Sequence, residues 1–193
     1  MNEIQDFFDR LAPNWDKGNQ KPGDDVAGLI KRLGIKKGDA VLDLACGRGV
    51  ITGLLSAYSQ NQVLGMDLSP KMIEGAKEDY AGAPGAAFVC EDFLSSNHPG
   101  EFDYVVVFNA YPHFVDRAKF KTKLYDSLKE GGKFAIVHNF GAAGLNRHHE
   151  GVAPTVSRMI GKSEEEAAFF ADRFDIVLAE DDAKHYLIIG RKK

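Results

Sequence analysis

Two cysteines, one tryptophan and four methionines are all that 193 residues carry of these types. Cys46 and Cys90 do not have the spacing of a metal site. In a domain of this length no disulfide framework is needed, so both are expected as reduced thiols of a cytoplasmic protein. Long apolar runs are missing too. Nothing approaches the roughly 20 residues of a membrane span, and no basic-then-apolar leader opens the chain, so a soluble protein with no membrane partner is expected. Positive charge is not in excess. A formal net charge of −4 gives no electrostatic reason for a nucleic-acid partner. The one compact basic cluster, Lys31, Arg32, Lys36 and Lys37, reads as a solvated helix end and turn. Internal repeats and low-complexity runs are also absent. What the chain does have is 44% hydrophobic residues, enough for one sizeable core and a single domain over 1–193.

Periodicity organises that core. AVLDLA (40–45), QVLGMDL (62–68), AAFVCED (86–92), FDYVVVFNA (102–110) and GKFAIVHNF (132–140) read as strands. Between them VITGLLSAYS, PKMIEGAKEDYA with Pro70 in its first turn, and RAKFKTKLYDSLKEGG with a glycine stop read as helices. Such alternation predicts an α/β fold: a three-layer, Rossmann-like, mostly parallel sheet with helices on both faces. Towards the end Ser163 is expected to cap a helix over EEEAAFFADRF. DIVLAEDD and KHYLIIGRK then lie too close for a parallel crossover and predict an antiparallel hairpin. Ahead of the first strand, IQDFFDRLAPNWD and DDVAGLIKRLGI predict two helices over one end of the sheet.

The first strand carries a carboxylate, Asp43, and runs into the turn Gly47-Arg48-Gly49. A turn between strand and helix brings backbone N–H groups close to a ligand. A dinucleotide fingerprint would place a third glycine at position 52, where this chain has Thr52. A P-loop would need Gly-Lys-Ser/Thr, and none is present. Asp67 lies twenty residues past Gly47 at the end of the second strand, where an acid can accept from both hydroxyls of a ribose. Asp43 argues against a pyrophosphate, since a carboxylate repels phosphate and attracts a cation. An NAD-dependent oxidoreductase is therefore disfavoured.

VLDLACGRG, GMDLS with Asp67, CEDF with Asp92, FDYVVVFNAYPHFVD and LKEGGKFAIV together resemble the ordered motif set of class I S-adenosylmethionine-dependent methyltransferases. The likeness runs from about residue 36 to 140, and that fold's reversed last strand matches the terminal hairpin, giving a seven-stranded sheet. FFDRLAPNWD is similar to the entry segment of small-molecule enzymes related to the ubiquinone and menaquinone methyltransferases. The resemblance implies S-adenosylmethionine as cofactor and S-adenosylhomocysteine as product. Asp43 and the loop with Ala45, Cys46, Gly47 and Gly49 would hold the methionine end. Asp67 would bind the ribose, with Leu68 and Met72 lining the adenine. Asp92 would accept from the adenine amino group beside Phe93, and Asn109 and Ala110 would pass under the sulfonium. It divides the chain into a helical cap (1–35), a cofactor-binding core (36–140), an acceptor-side loop (141–162), and a helix with the terminal hairpin (163–193).

Methyl transfer from a sulfonium rests largely on alignment. An alcohol or phenol acceptor needs a base, whereas a thiol of ordinary pKa about 8.5 needs little help. Candidate bases are Tyr111, His113 and His138, though a histidine in the NAYPHF loop also serves simply to support the turn. NAYP lacks the paired prolines of the N-P-P-Y motif of amino methyltransferases, which disfavours that acceptor class. The segment 140–163 is long for a connection and suggests a lid or acceptor-binding insertion. On it His148 and His149, with Trp15 from the N-terminal segment, are candidates for the acceptor side. Adjacent histidines are not a chelating spacing, so no metal is expected. The expected function is methyl transfer to an O, N, S or C atom of a small molecule by a monomer or homodimer. The alternatives are a macromolecule methyltransferase and a catalytically silent cofactor-binding module.

Overall fold

In the computed structural model the described residues are 2–15 and 22–193. The expected cap over 1–35 thus falls partly outside them. The elements are helix α1 (Glu3–Leu11), α2 (Asp24–Arg32), strand β1 (Val41–Leu44), α3 (Thr52–Ser59), β2 (Val63–Asp67), α4 (Pro70–Asp79), β3 (Ala86–Cys90), β4 (Phe102–Phe108), α5 (Arg117–Ser127), β5 (Leu128–His138), α6 (Ala142–His148), α7 (Ser163–Ala168), β6 (Phe174–Asp181) and β7 (Tyr186–Lys192). The strands form a seven-stranded sheet in the order β3-β2-β1-β4-β5-β7-β6. β1, β2 and β3 pair in parallel, as do β4 and β5, while β7 runs antiparallel to both β5 and β6. Among the described residues no helix is long and apolar enough to cross a membrane. The chain divides by packing into two compact units, up to Asn97 and from His98 onward.

In the first unit all four residues of β1 are buried, as a parallel strand covered on both faces requires. Gly65 in β2 lets that sheet close up: a Cβ there would lie 2.6 Å from the Phe88 ring and 3.1 Å from the Cys46 sulfur. Helix α4 starts at Pro70, with the Ser69 hydroxyl accepting from the Met72 N–H at 3.1 Å. That is a capped start with proline in the first turn. Lys31 and Arg32 close the last turn of α2, where cations suit the helix dipole.

In the second unit the core is aromatic, with Phe120, Phe134, Phe170, Phe174 and Tyr111 in ring contact. Beside it Glu166 is buried and receives Tyr111 Oη at 2.8 Å, Arg158 Nη2 at 3.1 Å, Arg117 Nη2 at 2.9 Å and the Gly161 N–H at 3.1 Å. Burial alone would raise this carboxyl. The bonds from Arg158, Gly161 and Tyr111 outweigh it and hold the group below the ordinary glutamate value.

Three boundaries differ from the sequence expectation. Helix α5 ends at Ser127, and LKEGG belongs to β5. Leu128 pairs with Phe102, and the N–H groups of Gly100 and Glu101 donate to Asp126 and Ser127, drawing this backbone into the ladder. A register shift between Phe102 and Tyr104 accommodates the glycines, so they mark a bulge and not a helix stop. Helix α7 is capped from Lys162, whose N–H donates to Glu165 at 3.3 Å. The Ser163 hydroxyl turns to Glu164 instead, and the helix stops at Ala168, two residues before Phe170 enters the core. Residues 140–163 contain α6 and are bonded in several places. Asn146 exchanges two hydrogen bonds with Ile160, Ala142 N–H donates to Asp181, and Arg158 N–H donates to Pro112.

Breaking the Glu166 cluster would leave two partly buried guanidinium groups and the buried Tyr111 hydroxyl without their anion. Glu166→Ala is expected to lower the unfolding free energy by about 3 kcal/mol, measured by urea denaturation at pH 7. Because the folded pKa lies below the unfolded one, this stabilisation is present above the ordinary glutamate range and is lost as pH falls through it. A variant as stable as the parent at pH 7 would show that the cluster contributes nothing.

Candidate functional site

The turn leaving β1 holds a run of unusual backbone: Ala45 at φ +56°, Gly47 at +55° and Gly49 at +84°. Glycine adopts this region freely and alanine does not, so Ala45 is held there by its surroundings. Two carboxylates organise the turn. Asp43, 1% exposed, accepts from the Thr52 hydroxyl at the first residue of α3. Burial, opposed by that hydrogen bond and assisted by the charge of Asp67, pushes its pKa up to about 7. Asp67 accepts from the Gly47 N–H at 2.8 Å and the Ser69 N–H at 2.9 Å. Its pKa is raised, by burial first, with the backbone bonds opposing.

Other expected residues of this unit stand around the same turn. A Cβ on Gly47 would lie 3.7 Å from Trp15 Nε1 and 4.0 Å from Met72 Sδ, and one on Gly49 would meet the Tyr80 and Phe88 rings at 2.9 and 3.0 Å. Trp15 therefore lies against the glycine turn. Cys46 is buried, which raises its thiol pKa well above the ordinary value. The Leu68 carbonyl is met by Cys90 Sγ at 3.6 Å. At the end of β3, Asp92 caps its own turn, accepting from Leu94 N–H at 2.9 Å and the Ser95 hydroxyl at 3.1 Å, while Phe93 is buried beside it.

Three contributors were not anticipated from the sequence. Tyr80 Oη donates to the Gly49 carbonyl at 2.6 Å and accepts from the Gly53 N–H at 2.9 Å, stitching the turn to α3. Arg48 makes a two-pronged bond to Asp79, both contacts at 2.8 Å. Asp9 of α1 accepts from the Ser69 hydroxyl. Tyr80 lies 31 and 27 residues from its two partners and Asp79 lies 31 from Arg48; an acid and a tyrosine closing α4 are the only sequence trace.

In the second unit Asn109 leaves β4 at φ +53°, and its side-chain oxygen accepts from the Asn139 N–H at 3.2 Å. Ala110 and Tyr111 are buried beyond it. The Tyr111 hydroxyl is committed to Glu166, with the Arg158 guanidinium 4.6 Å over its ring. Burial first, then Glu166, raises its pKa. His113 Nδ1 bonds the Val156 carbonyl at 3.0 Å, so Nδ1 carries the proton. His149 packs on it with ring centroids 5.2 Å apart, and His148 lies 5.5 Å from His149. Fully buried His138 faces the Tyr186 ring edge-on at 5.8 Å. Burial lowers His113 to about 4 and His138 to about 3, so both are neutral.

The seven-stranded, mostly parallel sheet ending in an antiparallel hairpin is the Rossmann-like fold of class I S-adenosylmethionine-dependent methyltransferases, and the chain is similar to that family in sequence as well. Residues 41–132 match the methyltransferase domain profile. The chain is 29% identical over 149 residues to the chloroplastic 2-phytyl-1,4-beta-naphthoquinone methyltransferase of Arabidopsis thaliana, covering 70% of this chain and 57% of the relative. It is 27% identical over 148 residues to a ubiquinone/menaquinone biosynthesis C-methyltransferase of Geotalea daltonii, covering 70% and 62%. The chain thus spans about three fifths of the length of these relatives. Its fold is that of a solved S-adenosylmethionine-dependent methyltransferase from Aquifex aeolicus, with a TM-score of 0.75, 15% identity, and 96% and 98% of the two chains covered.

Tyr80→Phe removes both stitches between the turn and α3. It is expected to cost roughly 1–2 kcal/mol of stability and to speed amide exchange at Gly53, whose N–H loses its acceptor, above all other sites. Unchanged exchange at this amide would show that the turn holds its shape without Tyr80.

Proposed function

We propose that this chain transfers a methyl group from S-adenosylmethionine to a small-molecule acceptor, releasing S-adenosylhomocysteine. The observation that carries the reading is the Gly47 N–H donating to the Asp67 carboxylate, which acts electrostatically on buried Asp43. The amide that a pyrophosphate would claim is already given to an anion, and a second carboxyl lies near it. A cationic cofactor without phosphate suits that arrangement, whereas NAD does not.

On this reading Asp43 and the loop Ala45, Cys46, Gly47 and Gly49 hold the methionine end. Asp67 takes the ribose hydroxyls, its oxygens keeping lone pairs beyond their backbone bonds. Leu68, Met72, Asp92 and Phe93 surround the adenine, and Asn109 and Ala110 serve the sulfonium. The single domain has its cofactor core over 36–140 and its acceptor side over 141–162 and Trp15. The names of the two relatives, both quinone-type methyltransferases, support a small acceptor. A net charge of −4 supports a protein without a nucleic-acid partner, and two free cysteines support a cytoplasmic setting.

Asp67→Ala should weaken S-adenosylmethionine binding by about 1.5–3 kcal/mol in titration calorimetry, with NAD failing to bind the parent chain. Equal affinity in a folded variant would remove Asp67 from the site. Because Asp67 also anchors the turn, Asp67→Asn, which keeps one acceptor oxygen, should fall between.

Asp43 adds a pH signature. Its folded pKa of about 7 lies above the unfolded value, so its contribution to the stability of the free chain is full in acid and is lost as pH rises through 7. An ammonium brought near would favour the ionised form, so binding releases a proton. Affinity should fall as pH drops from 8 to 6, approaching about tenfold per unit below the folded pKa, and Asp43→Asn should flatten the profile. A flat parent profile would mean that Asp43 does not sense the cofactor.

A further inference from the structure

Burying a hydrogen-bonding group without a partner costs about 1–3 kcal/mol, and native interiors hold few such groups. All such side-chain atoms among the described residues lie in the unit from His98 onward, and three of them belong to the paired residues His138 and Tyr186. Among the described residues, both ring nitrogens of His138 and the hydroxyl of Tyr186 are buried with no hydrogen-bond partner, as is Nδ1 of His149. His138 and Tyr186 are both 0% exposed. They are direct partners in the ladder between β5 and β7, with rings 5.8 Å apart. His113 and His149 lie near enough to act electrostatically on His138.

We propose that His138, Tyr186 and His149 form a recognition site for an uncharged hydroxyl group, such as a phenol, on a small-molecule ligand. That the ligand is the methyl acceptor rests on the proposed function; the hydroxyl site itself rests on the orphaned groups. A neutral imidazole presents one N–H donor and one lone pair, and a protonated phenol presents one donor and accepts as well. A hydroxyl also both gives and takes a hydrogen bond, so it can satisfy an imidazole nitrogen and the Tyr186 oxygen together. A carboxylate or an ammonium would have to shed its water without a counter-ion, because the nearby charges are already engaged. Arg158 is paired with Glu166, and Asp181 receives the Ala142 N–H. Isolated ions resist such transfer strongly. A metal is the other ligand that histidines suggest. No three His, Cys, Asp or Glu side chains among the described residues are disposed to hold one.

The imidazoles stay neutral in the working range. Burial keeps His138 near 3 and His113 near 4, and it lowers His149 as well. Tyr186 is held protonated by burial first and the charge of Glu166 second. His138 is thus a positioning residue that offers hydrogen bonds at neutral pH without changing charge.

The test uses the full chain with isotope-labelled histidine, followed by nuclear magnetic resonance. It is titrated with S-adenosylmethionine and then separately with phenol, benzoate, benzylammonium and zinc. Phenol should move the His138 and His149 ring signals saturably, with benzoate and benzylammonium at least about tenfold weaker. Tyr186→Phe loses only an orphaned hydroxyl. It should fold with an unchanged or higher thermal midpoint and bind phenol roughly five- to tenfold more weakly.

The site is overturned if phenol leaves the His138 signals unmoved, if all three organic probes act alike, or if Tyr186→Phe binds phenol as the parent does. Zinc moving the same signals at lower concentration than phenol would replace it with a metal site. Failure of S-adenosylmethionine to bind would count against the methyltransferase reading, while a phenol response at His138 would still uphold the hydroxyl site.

Discussion

A backbone turn that holds three residues at positive φ is unstable unless its amides and carbonyls are tied down, and here carboxylates and a phenol do the tying. Asp67 takes the Gly47 amide, Asp43 takes the hydroxyl at the start of α3, and Tyr80 bridges Gly49 and Gly53. The acids therefore act before any ligand arrives. They set the turn's shape and make it attractive to cations. Burial costs them ionisation, and Asp43 near pKa 7 records that cost. A cationic group placed beside them would offset it, so the turn's geometry and its ligand preference share one electrostatic cause.

Much of the fold was legible because parallel strands buried on both faces must be apolar runs, and crossover helices must separate them. VLDL, VLGMD and FDYVVVF read this way in the sequence, since each strand end is marked by a polar residue or a glycine turn. The short link between β6 and β7 permitted only a hairpin. Boundaries decided by tertiary pairing were not legible. LKEGG has the glycines of a helix stop, yet Leu128 is claimed by Phe102 and the glycines become a bulge. Ser163 has the side chain of a cap, but its hydroxyl finds Glu164 and the cap falls to Lys162.

The candidate site was legible in the same uneven way. Residues attached to local signals stand close to the ends of strands: Asp43 within β1 just before the glycine turn, Asp67 closing β2, and Asp92 two residues past β3. Asp92 also shows why residue type alone underdetermines a role, since its oxygens cap the turn that follows it. Tyr80, Arg48 and Asp9 act across 27 or more residues. Nothing local in their neighbourhoods names their partners.

The three side chains considered as bases have something in common that sequence could not show. Tyr111 donates to Glu166, which favours its protonated form. His113 commits Nδ1 to a carbonyl, and His138 is sealed from solvent, so burial leaves each a weak proton acceptor at neutral pH. A base near pKa 3 or 4 holds little driving force for taking a proton from an alcohol or phenol. The sulfonium, by contrast, needs no activation to leave. Under the proposed function, the rate therefore has to come from alignment of an acceptor atom that already carries its lone pair. Neutral imidazoles suit that work, because hydrogen bonds to them fix direction without adding a charge for the sulfonium to repel.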